Sequence, residues 1–542
     1  MLLKKILIIA LSLLIAAILC CGAFANDETK TDKVKQIREP LPYRIVSFHR
    51  GRADKILIRR AAELGFNGVQ FQLEGGNVSA LKGFAERNQK EGYIDLCHSL
   101  GMKVTLWVHE LSEIPKEGKP GYLGPIELGN DKLWSYLDQR YEWMLGELLP
   151  DIDGIVLTVV ETQIRLTDTK MMLKLVDILR NKCHKYNKEL IVRTFVWHPD
   201  ELEGVMGCIK QIPDDVIIMT KCVPQDWQMR GIDDTTIGDV GNHKQIEEWD
   251  IEGEYFLKDK VANCMPDILK RQFDYGVQHG IDGICLRVDR DDAEILHEPA
   301  EVNLWTMGML STGKTDSVED VWNAWATARY GAKAAPGVIK ALKPTAQVIT
   351  ECLNIGHFTF GDTRGFPKNG DDDIFSRNWQ NWRWDSSYVP LYKLGLAGDK
   401  LYTRKVIRQK NEAYKLAQQS LDELEKVKSD LDPIEYNILK TRLTSNKVNL
   451  EFRAPMMIAY LYYRRILNTQ DATEKQSLAE KIREDLKIIR AVGNKQFPPN
   501  RKIEHMGRNW IVDSPDGIDQ KQIIEWVNKM ESLLTAQGLA VK

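Results

Sequence analysis

Asp153-Gly-Ile-Val-Leu-Thr-Val-Val-Glu161 opens a stretch that closes at Glu252-Gly-Glu254-Tyr255, and the reading of that stretch decides the fold. Four short apolar runs lie within it. Each ends in a charged or aromatic cluster: Glu161; Arg193 with Trp197-His198; Lys221 followed by Pro224-Gln-Asp226-Trp227; and Glu254-Tyr255. Acids and cations gathered at strand ends are what a parallel β/α scaffold uses to build a site, because its loops converge on the C-terminal edge of the sheet.

The alternation continues in both directions. Strands are expected at Arg44–His49, Gly68–Leu73, Lys103–Val108, Gly154–Val159, Leu190–Val196, Val216–Thr220, Ile246–Ile251 and Gly283–Val288. Helical spacing fills 54–64, 86–100, 131–148, 168–186, 200–211 and 261–279. Eight such runs over roughly 250 residues match a (β/α)8 TIM barrel, placed at 41–335. Gly-Phe-Asn-Gly68, Asp-Ile-Asp-Gly154 and Gly-Ile-Asp-Gly283 recur where the chain re-enters the sheet. A doubly wound open sheet is the competitor; no Gly-x-Gly-x-x-Gly follows a strand, which counts against its dinucleotide-binding form.

Residues 336–393 form an aromatic-rich connection that includes Trp379, Trp382 and Trp384, read either as a sugar platform or as a wedge seating the next domain. From 394 to 542 the chain reads as a helical C-terminal domain. Leu421, Leu424, Val427 and Leu431 lie at 3–4 spacing, and further helices are expected over 433–468, 473–491 and 518–536. The apolar Met456-Met-Ile-Ala-Tyr-Leu461 run is read as core or as the interface of a homodimer.

The first 25 residues have the form of a signal peptide: Lys4-Lys5, an apolar run from Ile6 to Leu19, and Ala23-Phe24-Ala25. The expected product is exported, periplasmic or secreted, with a flexible lead over 26–40 and no membrane span after cleavage. Acylation at Cys20 or Cys21 is the less favoured reading, since Leu19 and Cys20 are poor residues before an acylated cysteine. Cleavage removes Lys4 and Lys5 and takes the formal charge from −3 to −5, which gives no reason to expect a nucleic-acid partner. Seven cysteines then remain, without Cys-x-x-Cys and mostly in apolar runs, where they behave as small hydrophobes.

Glu74, Glu110, Glu161, Asp226, Glu254 and Asp289 or Asp291 all fall at or just beyond expected strand ends, accompanied by Trp107, Trp197 and Trp227. Sugars stack their apolar faces on aromatic rings. Glycoside hydrolysis needs two carboxyl functions, one protonated and one ionised, and this set can supply both.

Residues 153–330 resemble the catalytic barrel of family 67 glycoside hydrolases, the α-glucuronidases that remove glucuronic acid side groups from xylan fragments. Val160-Glu161 stands where that family carries its general acid. Val192-Arg193-Thr-Phe-Val-Trp197 resembles its fifth strand, whose arginine binds the substrate carboxylate. Lys221-Cys-Val-Pro224-Gln-Asp226-Trp227-Gln228-Met-Arg230 resembles its Lys-x-Gly-Pro-Ile-Asp-Phe-Gln-x-Arg block, and Glu252-Gly-Glu254-Tyr255 its Gln-Glu-Tyr. Asp226 and Glu254 stand 28 apart, as the family's candidate bases do. Ala300-Glu-Val-Asn303-Leu-Trp305-Thr-Met-Gly308-Met-Leu310, then Trp322 and Trp325, is similar to the segment that closes its barrel.

The resemblance implies an inverting reaction with Glu161 as acid, its pKa raised, and Asp226 or Glu254 activating water. It implies substrate contacts from Arg193, Lys221 and Arg230, to which the strand-end aromatics Trp197 and Trp227, with His109 and Asp291, are added as candidates. It implies no metal and no cofactor, with an oligosaccharide as the partner. His297-Glu298-Pro-Ala-Glu301 begins like a zinc motif but lacks the second histidine.

The chain departs from the family at Leu157, where a lysine of the uronate pocket is expected, and at Gly231, where the family has glutamate. Arg193 and Lys221 are read either as cations for a sugar carboxylate or as partners that keep Asp226 or Glu254 ionised. Leu157 favours a neutral-sugar glycosidase as the second reading. A carbohydrate-binding barrel without catalysis is a third, and a polysaccharide lyase is disfavoured because paired acids are not its machinery.

Overall fold

The computed structural model describes residues 38–49, 53–73, 78–111, 114–115, 117–159, 164, 166–225, 227–252, 261–290, 293–360, 380–506, 508–515 and 518–539. The expected signal peptide and most of the lead lie outside them. Eight parallel strands close into a barrel in chain order: β1 (Tyr43–Phe48), β2 (Gly68–Leu73), β3 (Lys103–His109), β4 (Gly154–Thr158), β5 (Glu189–Arg193), β6 (Ile217–Lys221), β7 (Gln245–Asp250) and β8 (Gly283–Arg287). β8 returns to β1, pairing Gly283 with Tyr43 and Arg287 with Ser47. The glycine recurring before strands has a steric reason: a Cβ on Gly283 would lie 2.3 Å from the Cβ of Tyr43, so the closing strands meet only without it.

Side chains on a strand alternate between faces, and here the alternation sorts two cores. Ile45, Trp107, Val156, Ile191, Ile217, Met219, Ile246 and Cys285 fill the lumen. Val46, Phe48, Phe71, Leu106, Ile155 and Leu157 face outward to the helices. Both faces are buried, which is why the strands read as continuous apolar runs.

The surrounding helices are α1 (Lys55–Glu63), α2 (Val78–Glu91), α3 (Tyr93–Ser99), α4 (Asp131–Trp143), α5 (Thr169–Lys185), α6 (Pro199–Ile209) and α7 (Pro266–Gln278). The single helix expected over 86–100 is two, because Gly92 between them takes φ +65°, a left-handed turn that ends the first. After β8 come a short hairpin, β9 (Asp289–Arg290) with β10 (Ala293–Glu294), then α8 (Glu301–Ser311) and α9 (Val318–Leu342), whose backbone breaks at Gly331 with φ +79°.

The rest of the chain is α10 (Thr345–Leu353), the hairpin β11 (Asn354–Ile355) and β12 (Phe358–Thr359), α11 (Asn381–Trp384), α12 (Val389–Ala397), α13 (Lys400–Lys426), α14 (Pro433–Asn468), α15 (Ala472–Gly493), a hairpin of β13 (Arg501–His505) and β14 (Arg508–Val512), and α16 (Gln520–Ala536). Asp399, Asp432, Asp471 and Asp519 cap the four long helices by accepting first-turn N–H groups, each contributing about 1 kcal/mol. The β13–β14 hairpin falls within a region read as helical. Its Trp510 and Val512 pack on Ile438 of α14.

Met456, Met457, Ala459, Tyr460 and Leu461 sit inside this module's own core, with Ile458 between them partly exposed. All seven described cysteines are buried and free. Among the described residues no helix is long and apolar enough to cross a membrane.

One face of α14 is polar yet buried, and it seats the module on the barrel loops. Arg442 donates two parallel hydrogen bonds, 2.9 and 2.8 Å, to the Glu298 carboxylate after β8. The Asn446 amide both accepts from and donates to the backbone of Ala262 after β7, at 2.8 Å each way. The half-formed zinc motif is thereby explained, since Glu298 serves as the carboxylate of this seat.

Candidate active site

The C-terminal end of the lumen holds a charged network built by strand parity. Arg193, the last residue of β5, donates from Nε and Nη2 to the two carboxylate oxygens of Glu248 on β7, both at 2.8 Å. Its Nη1 donates to Thr158 Oγ1 of β4 at 2.8 Å, and its guanidinium lies 4.1 Å from the centre of the Trp107 ring. Two residues further along β7, Asp250 forms ion pairs with Lys221 of β6 at 3.2 Å and Arg287 of β8 at 2.8 Å.

All five charged groups are buried. Burial pushes the Asp250 carboxyl up, but Arg287 and Lys221 outweigh it and hold the group below its ordinary value, hence ionised. His109, at the end of β3, is pushed down to about 3 by burial and by Arg193, Arg287 and Arg290, so it is a neutral imidazole. Asp289, just past β8, accepts from the His49 N–H at 2.6 Å. Burial, then the nearby Glu294, raises its carboxyl well above the ordinary range despite that bond. Among the described residues, Arg193, Lys221 and Arg287 are thus paired here with Glu248 and Asp250.

Glu161, Asp226, Glu254 and Asp291, with Glu74 and Trp379, lie outside the described residues. Arg193 and His109 come together around Trp107, while Lys221 lies 4.6 Å from the centre of the Phe195 ring. The carboxylates that hold the two cations are Glu248 and Asp250, which the sequence reading passed over. The signal was present in Gln245-Ile-Glu-Glu-Trp-Asp250: a period of two puts Ile246, Glu248 and Asp250 on one face.

Four expectations are corrected. Glu110 follows inward His109 and so turns outward, where it is buried against Arg140 and Tyr141 of α4. Leu157 also faces the helix layer, between inward Val156 and Thr158, so it does not stand in for a lumen lysine. Trp227 is 2% exposed and packed in the outer core, and Trp107 is covered by Arg193, so neither offers a face to a sugar. Trp197 keeps partial exposure and meets Phe195 edge-on at 5.3 Å.

Arg230 ties the loop after β6 to the module through Glu351. Trp384 packs on the barrel's core, while Trp382 stacks on Tyr392 at 4.4 Å beside the module's core. For these two rings the packing is that of a wedge. Gly231 also has a reason: a Cβ there would lie 2.5 Å from Cγ1 of Val223, so the loop is folded too tightly for the family's glutamate.

Outward from the same strand, Glu247 is fully buried, and neither carboxyl oxygen has a hydrogen-bond partner among the described residues. Gly276 of α7 makes room for it, since a Cβ there would lie 1.9 Å from Oε2. Burial, then Asp233 and Asp234, raises the Glu247 pKa well above its ordinary 4.5. The folded state thus favours the protonated acid. The stability this confers is fully present below pH 4.5 and is lost as pH rises through the folded value. Glu247→Gln, neutral at every pH, should melt with the parent at pH 4 and above it at pH 8, by about 1–3 kcal/mol. Equal melting temperatures at pH 8 would refute a buried acid here.

No family model and no curated protein matches the sequence. Among solved structures, the chain is similar to a GH138 enzyme targeting pectin rhamnogalacturonan II, with a TM-score of 0.62 at 10% identity, covering 95% of this chain and 71% of that one. A GH30 endoxylanase from Clostridium papyrosolvens C71 matches at TM-score 0.32 and 10% identity, over 51% of this chain and 72% of that one, too weakly to argue from. A sugar phosphate isomerase/epimerase from Parabacteroides distasonis is equally distant, at TM-score 0.31 and 11% identity, over 53% and 98%. The first likeness, spanning nearly the whole chain, is one of fold: an eight-stranded parallel barrel continued by a helical C-terminal module.

Proposed function

We propose that the chain is a glycoside hydrolase, an exported, inverting, α-glucuronidase-like exo-enzyme that removes a uronic acid from polysaccharide-derived oligosaccharides. The observation that carries the uronate part is the set of buried cations at the C-terminal end of the lumen. Among the described residues, Arg193, Lys221 and Arg287 gather there around Glu248 and Asp250, and burial raises the carboxyl of Asp289 beside them. Cations held in a low-dielectric floor favour an anionic sugar over a neutral one. Arg193 is committed to Glu248 and Thr158, so it acts as part of that floor. Leu157, the departure that favours a neutral sugar, faces away from the lumen. The fold-level likeness to an enzyme targeting pectin rhamnogalacturonan II accords with carbohydrate as substrate.

In this reading Glu161 protonates the departing glycosidic oxygen, while Asp226 or Glu254 takes a proton from the water that attacks the anomeric carbon from the opposite face. The bond to the leaving group breaks as the new C–O bond forms, and the configuration inverts. The test is sugar release from glucuronic-acid-bearing xylo-oligosaccharides and matched neutral oligosaccharides, with NMR of the first-formed anomer. Uronic acid release with inversion is expected, and Glu161→Gln should lower the rate by on the order of 10²-fold or more. Release of neutral sugars alone, or retention of configuration, would refute the proposal in its present form.

A further inference from the structure

The loop after β6, residues 222–231, is held at its base by the barrel and along its length by the C-terminal module. At the base, the Cys222 N–H donates to the Glu248 carbonyl at 2.9 Å. Farther out, a single side chain more than 150 residues away takes over. Asn381, the first residue of α11, is fully buried. Its Oδ1 accepts from Gln225 Nε2 at 3.3 Å and from Gln228 Nε2 at 2.9 Å, and its Nδ2 donates to the Arg230 carbonyl at 2.8 Å.

Thr359 and Glu351 in turn hold Gln228 and Arg230. Thr359 Oγ1 donates to Gln228 Oε1, and the Thr359 backbone is held both ways by the Gln380 amide, at 3.2 and 3.1 Å. The Arg230 guanidinium donates to the Gly356 carbonyl and pairs with Glu351, which pairs in turn with the buried Lys410 at 2.7 Å. The module has separate attachments at Arg442–Glu298 and Asn446–Ala262, so its docking does not depend on Asn381.

We propose that Asn381 is a positioning residue of the active site, through which the C-terminal module sets the conformation of residues 222–225 and 227–231, which flank Asp226 in the sequence. The chemical consequence rests on the reading of Asp226 as a candidate base given above. The hydrogen bonds reach Gln225, the residue before that acid in the sequence, and Gln228 and Arg230 after it. A shift of about 1 Å in a catalytic group costs about 10²-fold in rate, whereas substrate contacts made elsewhere in the barrel are untouched.

The test is a double-mutant cycle of Asn381→Ala and Gln228→Ala in the full-length chain, read by hydrogen exchange over 222–231, by kcat and KM, and by thermal melting. The expected result is faster exchange confined to that loop, kcat lower by about 10²-fold with KM within about threefold, a small change in melting temperature, and a double variant little worse than either single. Should the alanine variant fail to fold, Asn381→Asp keeps the acceptor and removes the donor to Arg230, and the same loop-confined exchange is expected. Unchanged exchange over 222–231, or a loss of kcat that merely tracks lost folded protein and adds across the two sites, overturns the proposal. If exchange responds as stated while the parent chain cleaves no sugar, the positioning role stands and the glycosidase reading falls.

Discussion

Arg193→Met should destabilise the chain by about 3–5 kcal/mol and abolish any activity the lumen supports, because it leaves the Glu248 carboxylate buried without its bidentate partner. Glu248 is buried: Trp107 lies under the arginine, Cys285 stands beside it across the β7–β8 register, and the two hydrogen bonds from Arg193 are both 2.8 Å. Two charges in such a site attract strongly, but each has surrendered its hydration, so the pair as a whole contributes little net stability while either half alone is costly. That asymmetry is the diagnostic. Arg193→Met combined with Glu248→Met should recover most of the lost melting temperature, since an apolar pair of similar volume needs no hydration. The double variant should stay inactive, lacking the charge that the reaction is proposed to use. A double variant no more stable than the single would show that the arginine acts through packing on Trp107 rather than through its partner.

The second large effect is expected at the barrel–module junction. Lys410 of α13 is fully buried, its ammonium within 2.7 Å of both a carboxylate oxygen and the carbonyl of Glu351, and Arg230 reaches the same carboxylate from the loop after β6. Glu351→Gln removes the negative charge that two cations share, a change of about 3–5 kcal/mol. Burial holds the Lys410 pKa below its ordinary 10.5 even with Glu351 opposing it. Without that carboxylate the group falls further. Its folded value lies below the unfolded one, so its contribution is fully present above pH 10.5 and is lost as pH falls through the folded value. The deficit of Glu351→Gln relative to the parent should therefore be larger at pH 7 than at pH 10, as thermal melts at the two pH values would show. A deficit independent of pH would point to lost packing instead.

The barrel was legible because its strands are buried on both faces, which leaves runs such as Gly283-Ile-Cys-Leu-Arg apolar almost throughout, and because Asn-Gly or Asp-Gly precedes β2, β4 and β8. What escaped was parity. Charge collects at strand ends on both faces, and only the inward face meets the lumen. Missing parity puts Glu110 in the site when its neighbour His109 is the inward one, makes Leu157 a lost lysine when Val156 and Thr158 line the lumen, and overlooks Glu248 and Asp250 inside β7. The junction is a harder case. The bonds from Asn381 to Gln225 and from Arg442 to Glu298 join residues more than 140 positions apart, and no local pattern announces such pairs. The β13–β14 hairpin escaped for a simpler reason: its strand Arg501-Lys-Ile-Glu-His is charged and largely exposed, with little of the apolar alternation that marks a sheet.

The register that pairs Tyr43 with Gly283 also sets an order of events. As the chain emerges from its N-terminus, no closed barrel can exist until β8 has been made, because β1 waits some 240 residues for its second neighbour. Closure then becomes available well before Glu351, Asn381, Lys410 or Arg442 has been synthesised. For that interval the nascent barrel carries loops after β6, β7 and β8 whose anchors do not yet exist, with the cations of the lumen already paired. Competence is then acquired last, from the C-terminus backward.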